Sequence, residues 1–102
     1  MNTSDRNKTC LHLVVRASGE ALAGCLAQFG EGDMMLFLDD GVQFIAGGGE
    51  SLQPPVASGF FSAVDLEARG LTGVAHAAGV SVLPDSKIAQ LMQSCEFCLT
   101  WK

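Results

Sequence analysis

Two short apolar runs constrain the fold of this chain of 102 residues more than any other feature. Residues 11–15 read LHLVV and residues 34–38 read MMLFL, so neither run alternates regularly between apolar and polar side chains. A strand whose successive side chains are apolar is buried on both faces, and such strands are typical of a parallel sheet between layers of helices. The chain is long enough for one such domain and too short for two.

Two helices of ordinary length are predicted from their apolar stripes. The first follows a candidate N-cap at Ser18, and the second begins at Pro84. In each helix the apolar side chains recur at i, i+3, i+4 and i+7, which places them on one face. The stripes are Leu22, Cys25, Leu26 and Phe29 in the first helix, and Ile88, Leu91, Met92 and Cys95 in the second.

Shorter elements fill the rest of the chain. Asp40 is a candidate cap for a helical segment over residues 41–46, and Asp65 is a candidate cap for one over residues 65–70. His76 lies in an Ala/Gly-rich connection with no obvious acidic partner. The remaining strands are predicted at residues 59–64, 79–83 and 97–101.

This alternation of strands and helices predicts the α/β class. We expect a single small three-layer domain over residues 10–102, with a mostly parallel, flavodoxin-like sheet of about five strands flanked by helices. Residues 1–9 are mostly polar or charged, and we expect them to form a disordered N-terminal arm.

The charge balance excludes several classes of function. The chain has 6 basic and 11 acidic residues, and its formal net charge is −5. A non-specific grip on nucleic acid needs a basic patch, and an anionic membrane surface also favours basic proteins, so neither is an expected partner. No apolar run is long enough to span a membrane, and the first eight residues lack the apolar core of a secretory signal. We therefore expect a cytoplasmic protein with four reduced thiols and no cofactor.

Five short segments, taken in order, resemble the TusB/DsrH family. The resemblance runs from about Leu11 to Trp101, and its most specific part is the DLEARGL sequence of residues 65–71. The other segments are LH at residues 11–12, EGD at residues 31–33, DGV at residues 40–42 and the tryptophan near the C-terminus.

The resemblance implies a subunit of a cytoplasmic sulfur-relay complex. Members of this family assemble with DsrE/TusD-like and DsrF/TusC-like sister subunits into a heterohexamer, which passes persulfide sulfur to a DsrC/TusE-like carrier. In one branch the sulfur ends in the 2-thiouridine of tRNA, and in the other it belongs to dissimilatory sulfur oxidation. The sulfur of the complex would thus reach tRNA without direct contact between this chain and the nucleic acid.

The resemblance also implies an accessory role for this chain. The sulfur-carrying subunit of such complexes has its active cysteine just after the third strand, ahead of an Arg-Gly pair. Here the equivalent residues 62–65 read SAVD, ahead of Arg69-Gly70, and they contain no cysteine. We therefore expect a role mainly in assembly. Asp65 and Arg69 stand at i and i+4 and are expected to form a pair on one helix.

Cys25 is the candidate relay thiol, because some sulfur-oxidising members of the family carry a cysteine on the first helix. The competing interpretation is a small core residue, since Cys25 lies on the apolar stripe and in the half of the helix where the dipole opposes a thiolate. Cys95 and Cys98 form a C-x-x-C motif that follows a helix, whereas a thioredoxin-like pair precedes one. Cys10, beside the expected disordered arm, is expected to be inert as a relay thiol but exposed enough to oxidise.

Two other functions stay open at this point. One is a stand-alone thiol (persulfide) sulfurtransferase that uses Cys25, and the other is a small-anion-binding, flavodoxin-like module that uses the turn before Ser18. No metal site is predicted, because His12 and His76 lack the spacing of a zinc module. His12 is expected to be a hydrogen-bonded core or interface residue rather than a base.

The apolar content of so short a chain suggests exposed apolar surface that needs a partner. A homo-oligomer is therefore possible when the chain is isolated. The candidates for this surface are Phe44, Phe60 and Trp101, with the core as the more natural place for Phe60.

Overall fold

A computed structural model describes residues 9–49 and 52–102, and in them five strands form one sheet. The order across the sheet is fourth, third, second, first, fifth, and all four neighbouring pairs are parallel. The predicted α/β class with a parallel sheet of five strands is confirmed. The strands are β1 (Cys10–Val14), β2 (Met34–Phe37), β3 (Phe60–Ser62), β4 (Ser81–Leu83) and β5 (Phe97–Trp101).

In the part of the chain that the structure describes, four α-helices and two 3-10 segments can be assigned. The predicted N-cap of the first helix is confirmed, because the Ser18 hydroxyl accepts a hydrogen bond of 3.0 Å from the Ala21 amide. The helices are α1 (Gly19–Gln28), α2 (Ala63–Ala68), α3 (Thr72–Ala78) and α4 (Asp85–Ser94), and the 3-10 segments are Asp39–Gly47 and Val56–Ser58.

The strand order explains how the helices are shared between the two faces of the sheet. From β1 to β4 each strand is added on the same side of the previous one, so right-handed crossovers place α1, the 3-10 segments, α2 and α3 on one face. The last connection runs back past β1 to β5, and it places α4 on the opposite face, where no other described helix lies. The two core clusters agree with this division: one contains Cys25, Ile45 and Leu66, and the other contains Ile88.

Burial of both faces accounts for the continuous apolar runs. In β1 the side chains of Leu11 and Leu13 pack in the α4 cluster, whereas Val14 packs in the cluster on the α1 face. In β2 Leu36 and Phe37 divide between the two clusters in the same way, and both are fully buried. No helix in the described residues is long and apolar enough to cross a membrane.

Several local expectations are wrong. The 3-10 segment has no side-chain cap, and the carboxylate of Asp40 instead accepts hydrogen bonds from Arg69. The cap of α2 is Ser62, so β3 ends there and the helix begins earlier than predicted. Leu26 on the first apolar stripe is 40% exposed.

Two further stretches bear on the predictions. The connection around His76 contains the helix α3, which alanines favour and which ends at Gly79 with a left-handed φ of 73°. The predicted arm of residues 1–9 lies outside the described residues except for Thr9, whose carbonyl accepts a hydrogen bond from the Phe97 amide.

Gly41 is expected to tolerate no side chain. It is buried at the start of the 3-10 segment, and a Cβ atom there would overlap the carbonyl oxygen of Val14. We expect Gly41→Ala to lower the free energy of unfolding by at least about 2 kcal/mol in urea denaturation. Gly73→Ala is the matched control, because a Cβ atom at this exposed position in α3 meets nothing within 4 Å. If the two substitutions lower the free energy of unfolding equally, the overlap at Gly41 is not the cause.

Candidate functional site

Two polar networks lie at opposite ends of the parallel strands. The first is centred on His12, whose side chain is fully buried in β1. The Nε2 atom of His12 lies 2.9 Å from Oδ2 of Asp33, and the indole Nε1–H of Trp101 donates a hydrogen bond of 3.0 Å to Nδ1. An indole N–H can only donate, so Nδ1 is an acceptor and Nε2 carries the proton that His12 donates to Asp33. The imidazole is therefore the neutral Nε2–H tautomer.

Asp33 completes this network in the loop before β2. Besides the imidazole of His12, its carboxylate accepts hydrogen bonds from the amides of Gly30 at 2.9 Å and Cys10 at 3.3 Å. Partial burial acts to raise the pKa of Asp33, but these three hydrogen bonds outweigh burial and lower the pKa below its ordinary value. The network thus joins β5, β1 and the loop before β2 through one buried side chain.

A metal ion is the first ligand to consider at this place. The ligand atoms of Cys10, His12 and Asp33 all lie within 4.8 Å of one another. Coordination by Nε2 of His12 needs the lone pair of that atom, so the ring proton would move to Nδ1 and face the N–H of Trp101. The hydrogen bonds as formed therefore disfavour a metal ion.

Sequence reasoning missed this convergence, because Cys10 and His12 are separated from Asp33 by more than 20 residues. The segments LH and EGD contain His12 and Asp33, but nothing local in either segment indicates that the two side chains meet. The structure places His12 in the buried, hydrogen-bonded position that was expected of it. His76 lies apart from this network, in the last turn of α3.

The four thiols differ in burial and in acidity. Cys25 is fully buried, and burial, followed by the nearby charges of Cys10 and Asp33, raises the pKa of its thiol to about 11. Burial is also the largest cause that raises the pKa of Cys10, and the charges of Asp33, Cys98 and Cys95 add to it. Both thiols are therefore weak nucleophiles near neutral pH, because the thiolate is the reactive form. The relay role of Cys25 stays a prediction that its burial disfavours.

The C-x-x-C motif lies where the sequence placed it, after a helix. Cys95 is the C-cap residue of α4 and is partly buried, whereas Cys98 lies in β5 and is exposed. Both thiols are free. A C-terminal cap offers carbonyl groups rather than amides, so it does not stabilise a thiolate as the N-terminus of a helix does.

The second network is centred on Arg69, at the end of the sheet where β2 and β3 finish. The guanidinium nitrogen Nη2 of Arg69 lies 2.8 Å from Oδ1 of Asp39 and 2.9 Å from Oδ1 of Asp40. The predicted i, i+4 pair with Asp65 is present at 3.8 Å and is longer than these contacts. Hydrogen bonds to Asp40 are the main cause that raises the pKa of Arg69 above its ordinary value.

Asp65 also holds the backbone that follows β2. Its Oδ2 atom accepts a hydrogen bond of 2.7 Å from the amide of Asp39, which has a left-handed φ of 54°. The network therefore ties the segment after β2 to the segment after β3. Open parallel sheets commonly bind ligands at this end of their strands. Here three carboxylates surround one guanidinium, and the resulting local charge is negative, which disfavours an anionic ligand.

At the predicted anion-binding turn before α1, groups of the chain itself stand where an anion would bind. The hydroxyl of Ser18 is engaged by the amide of Ala21, and Glu20 places a negative charge in the first turn. Both features satisfy the positive end of the helix dipole from within the chain.

Comparison with known proteins adds no relative to this description, since no protein-family model and no curated protein matches the chain.

Thiol reactivity should follow this order of burial. We expect iodoacetamide at neutral pH to alkylate exposed Cys98 first and buried Cys25 last, because alkylation needs an accessible thiolate. Peptide mass mapping over time measures each rate, and denaturation should remove the difference. Alkylation of Cys25 as fast as that of Cys98 in the folded chain would contradict the burial described here.

Asp33→Asn should lower stability in a pH-dependent way. At neutral pH we expect a loss of about 1–3 kcal/mol, because the amide is a poorer acceptor for three N–H donors. The folded pKa of Asp33 lies below the unfolded value of about 3.8, so its stabilisation is complete above that value and is lost as the pH falls through the folded pKa.

The difference in unfolding free energy between the wild type and Asp33→Asn should therefore narrow in acid. Urea denaturation at a series of pH values measures it. A difference that stays constant from neutral pH to the lowest pH at which both chains fold would show that the charge of Asp33 contributes nothing.

Proposed function

We propose that this chain is an accessory subunit of a cytoplasmic sulfur-relay complex and that its main role is assembly. The proposal rests on the ordered resemblance to the TusB/DsrH family from Leu11 to Trp101. It is supported by one observation above all: the end of β3, where a sulfur-carrying subunit has its cysteine, holds Ser62 and Asp65 instead.

The chemistry of sulfur transfer explains why this observation matters. A relay thiolate attacks the sulfane sulfur of a persulfide, displaces a thiolate and becomes the new persulfide, which the next thiolate attacks. Such a thiol needs exposure and a positive environment. Beside the end of β3 lie the carboxylate of Asp65 and those of Asp39 and Asp40 from the segment after β2, with Arg69 already paired to them. A thiolate would be disfavoured there even if the sequence supplied one.

The burial and acidity of Cys25 and Cys10 support the same proposal. Cys25 is fully buried with a raised pKa, and the pKa of Cys10 is also raised. Sulfur would therefore pass through the DsrE/TusD-like sister subunit to a DsrC/TusE-like carrier, with the DsrF/TusC-like subunit and this chain completing the complex. The end use would be either 2-thiouridine in tRNA or sulfur oxidation.

Co-expression with the two sister subunits from the same genome tests the assembly role. We expect the three chains to co-purify through a tag on one sister and to elute together, because the family resemblance implies that they form one complex. The control is the same preparation without this chain. If the sister subunits are present and every chain elutes separately, the proposed function is wrong.

Persulfide loading tests the accessory role against the sulfurtransferase alternative. After incubation of this chain with a persulfide donor, we expect intact-mass and peptide analysis to find no sulfur on Cys25, because that thiol is buried. Cys98→Ser is the matched control for adventitious loading of the exposed thiol. A stable gain of one sulfur atom that Cys25→Ser abolishes would instead identify Cys25 as a relay thiol.

A further inference from the structure

The outer edge of β5 is the surface that carries a further inference. β5 is the last strand on one side of the sheet, and no strand in the described residues pairs with its outer edge. Four of its five residues are exposed, and Leu99 is 43% exposed. Natural proteins protect such edges with charges, prolines or short strands, and the sequence FCLTW contains no charge or proline.

The opposite edge of the sheet shows the contrast. β4 has three residues and is followed directly by Pro84, so it offers little backbone to a partner. β5 is longer and is flanked by two exposed charged residues, Glu96 before it and Lys102 after it. β5 is therefore the edge strand with which a strand of a partner could pair.

The pairing with β1 fixes which backbone groups face outward. The Phe97 amide donates to the Thr9 carbonyl, and the Trp101 carbonyl accepts from the Val15 amide. Residues 97 and 101 therefore direct their backbone groups inward to β1. Because the direction alternates along a strand, Cys98 and Thr100 direct their N–H and C=O groups outward.

We propose that β5 pairs antiparallel with β5 of a second copy of this chain, about a two-fold axis at Leu99. In this register Leu99 lies opposite its own copy, and Cys98 and Thr100 lie opposite each other as hydrogen-bonded pairs. Their outward-facing backbone groups are those that such pairs require. The two sheets then join into one continuous sheet of ten strands.

Charge complementarity selects a second copy as the partner. Glu96 lies three residues before Leu99, and Lys102 lies three residues after it. The two-fold axis therefore places Glu96 of each copy opposite Lys102 of the other, and this pair of opposite charges forms twice. An isologous interface needs such self-complementarity, and opposite charges across an antiparallel pair stabilise it.

This surface differs from the one expected from the sequence. Phe44 and Phe60 pack against the core clusters, and Trp101 is partly buried with its ring 3.0 Å from the position that a Cβ atom of Gly24 would take. The exposed apolar side chain at the centre of the proposed interface is Leu99.

The full chain at about 0.3 mM should contain a dimer in analytical ultracentrifugation, and the dimer fraction should rise with concentration. Leu99→Lys places two like charges opposite each other, and we expect it to raise the dimer Kd about tenfold or more. Val82→Lys is the matched control, because Val82 is an exposed apolar residue of the other edge strand, β4. Circular dichroism confirms that both variants fold. A wild type that stays monomeric, or a dimer that Leu99→Lys leaves unchanged, overturns the proposal.

Charge exchange tests the register. Glu96→Lys and Lys102→Glu should each raise the dimer Kd about threefold or more, since each creates two like-charge pairs. The double variant restores opposite charges and should return the Kd towards the wild-type value. If the effects of the two substitutions on the dimer Kd simply add in the double variant, this register is wrong.

Disulfide trapping supplies a measurement that does not depend on affinity. In a Cys98→Ser background, Leu99→Cys should form an intermolecular disulfide when diamide takes up the two electrons and two protons of the thiols. Thr100→Cys in the same background lies opposite position 98 of the other copy, which no longer carries a thiol, and should cross-link much less. Efficient cross-linking of wild-type Cys98 to its own copy would indicate an axis at Cys98 and would overturn the register. All these experiments use the chain alone, so their failure leaves assembly with sister subunits untouched.

Discussion

The central strands depend on the hydrogen bonds of one neutral imidazole. His12 is buried in β1 among apolar side chains, where an unpaired ring nitrogen would cost about 1–3 kcal/mol. Trp101 from β5 satisfies one nitrogen, and Asp33 from the loop before β2 satisfies the other. A shift of β1 by one residue would turn the imidazole to the α4 face and break both bonds. The polar network therefore specifies the register that hydrophobic burial alone would leave open.

The second network has the same kind of role at the other end of the strands. Arg69 and its carboxylate partners hold together the segments that follow β2 and β3. Many α/β proteins keep this end of the sheet free for a ligand. In this chain the described polar groups there bind one another, and Arg69 is paired with Asp39 and Asp40.

The sequence predicted the sheet well because burial leaves a local signal. Neighbouring residues were enough to predict β1, β2, the cap at Ser18 and the closing strand β5. The caps at Asp40 and Asp65 were wrong because long-range partners, the guanidinium of Arg69 and the amide of Asp39, engage these carboxylates. No local pattern reveals such competition between residues far apart in the chain. The convergence of Cys10, His12 and Asp33 escaped prediction for the same reason.

The uneven cover of the sheet has a consequence for local opening. Among the described elements, three helices and two 3-10 segments lie on one face of the sheet and α4 alone lies on the other. Ile88 is the one buried residue of α4. Detaching α4 would expose the second core cluster, including the fully buried Leu11 and Leu36 of the central strands. The free energy of such an opening rises with the apolar area that it brings into contact with water. The protection of this whole face therefore depends on the docking of one helix.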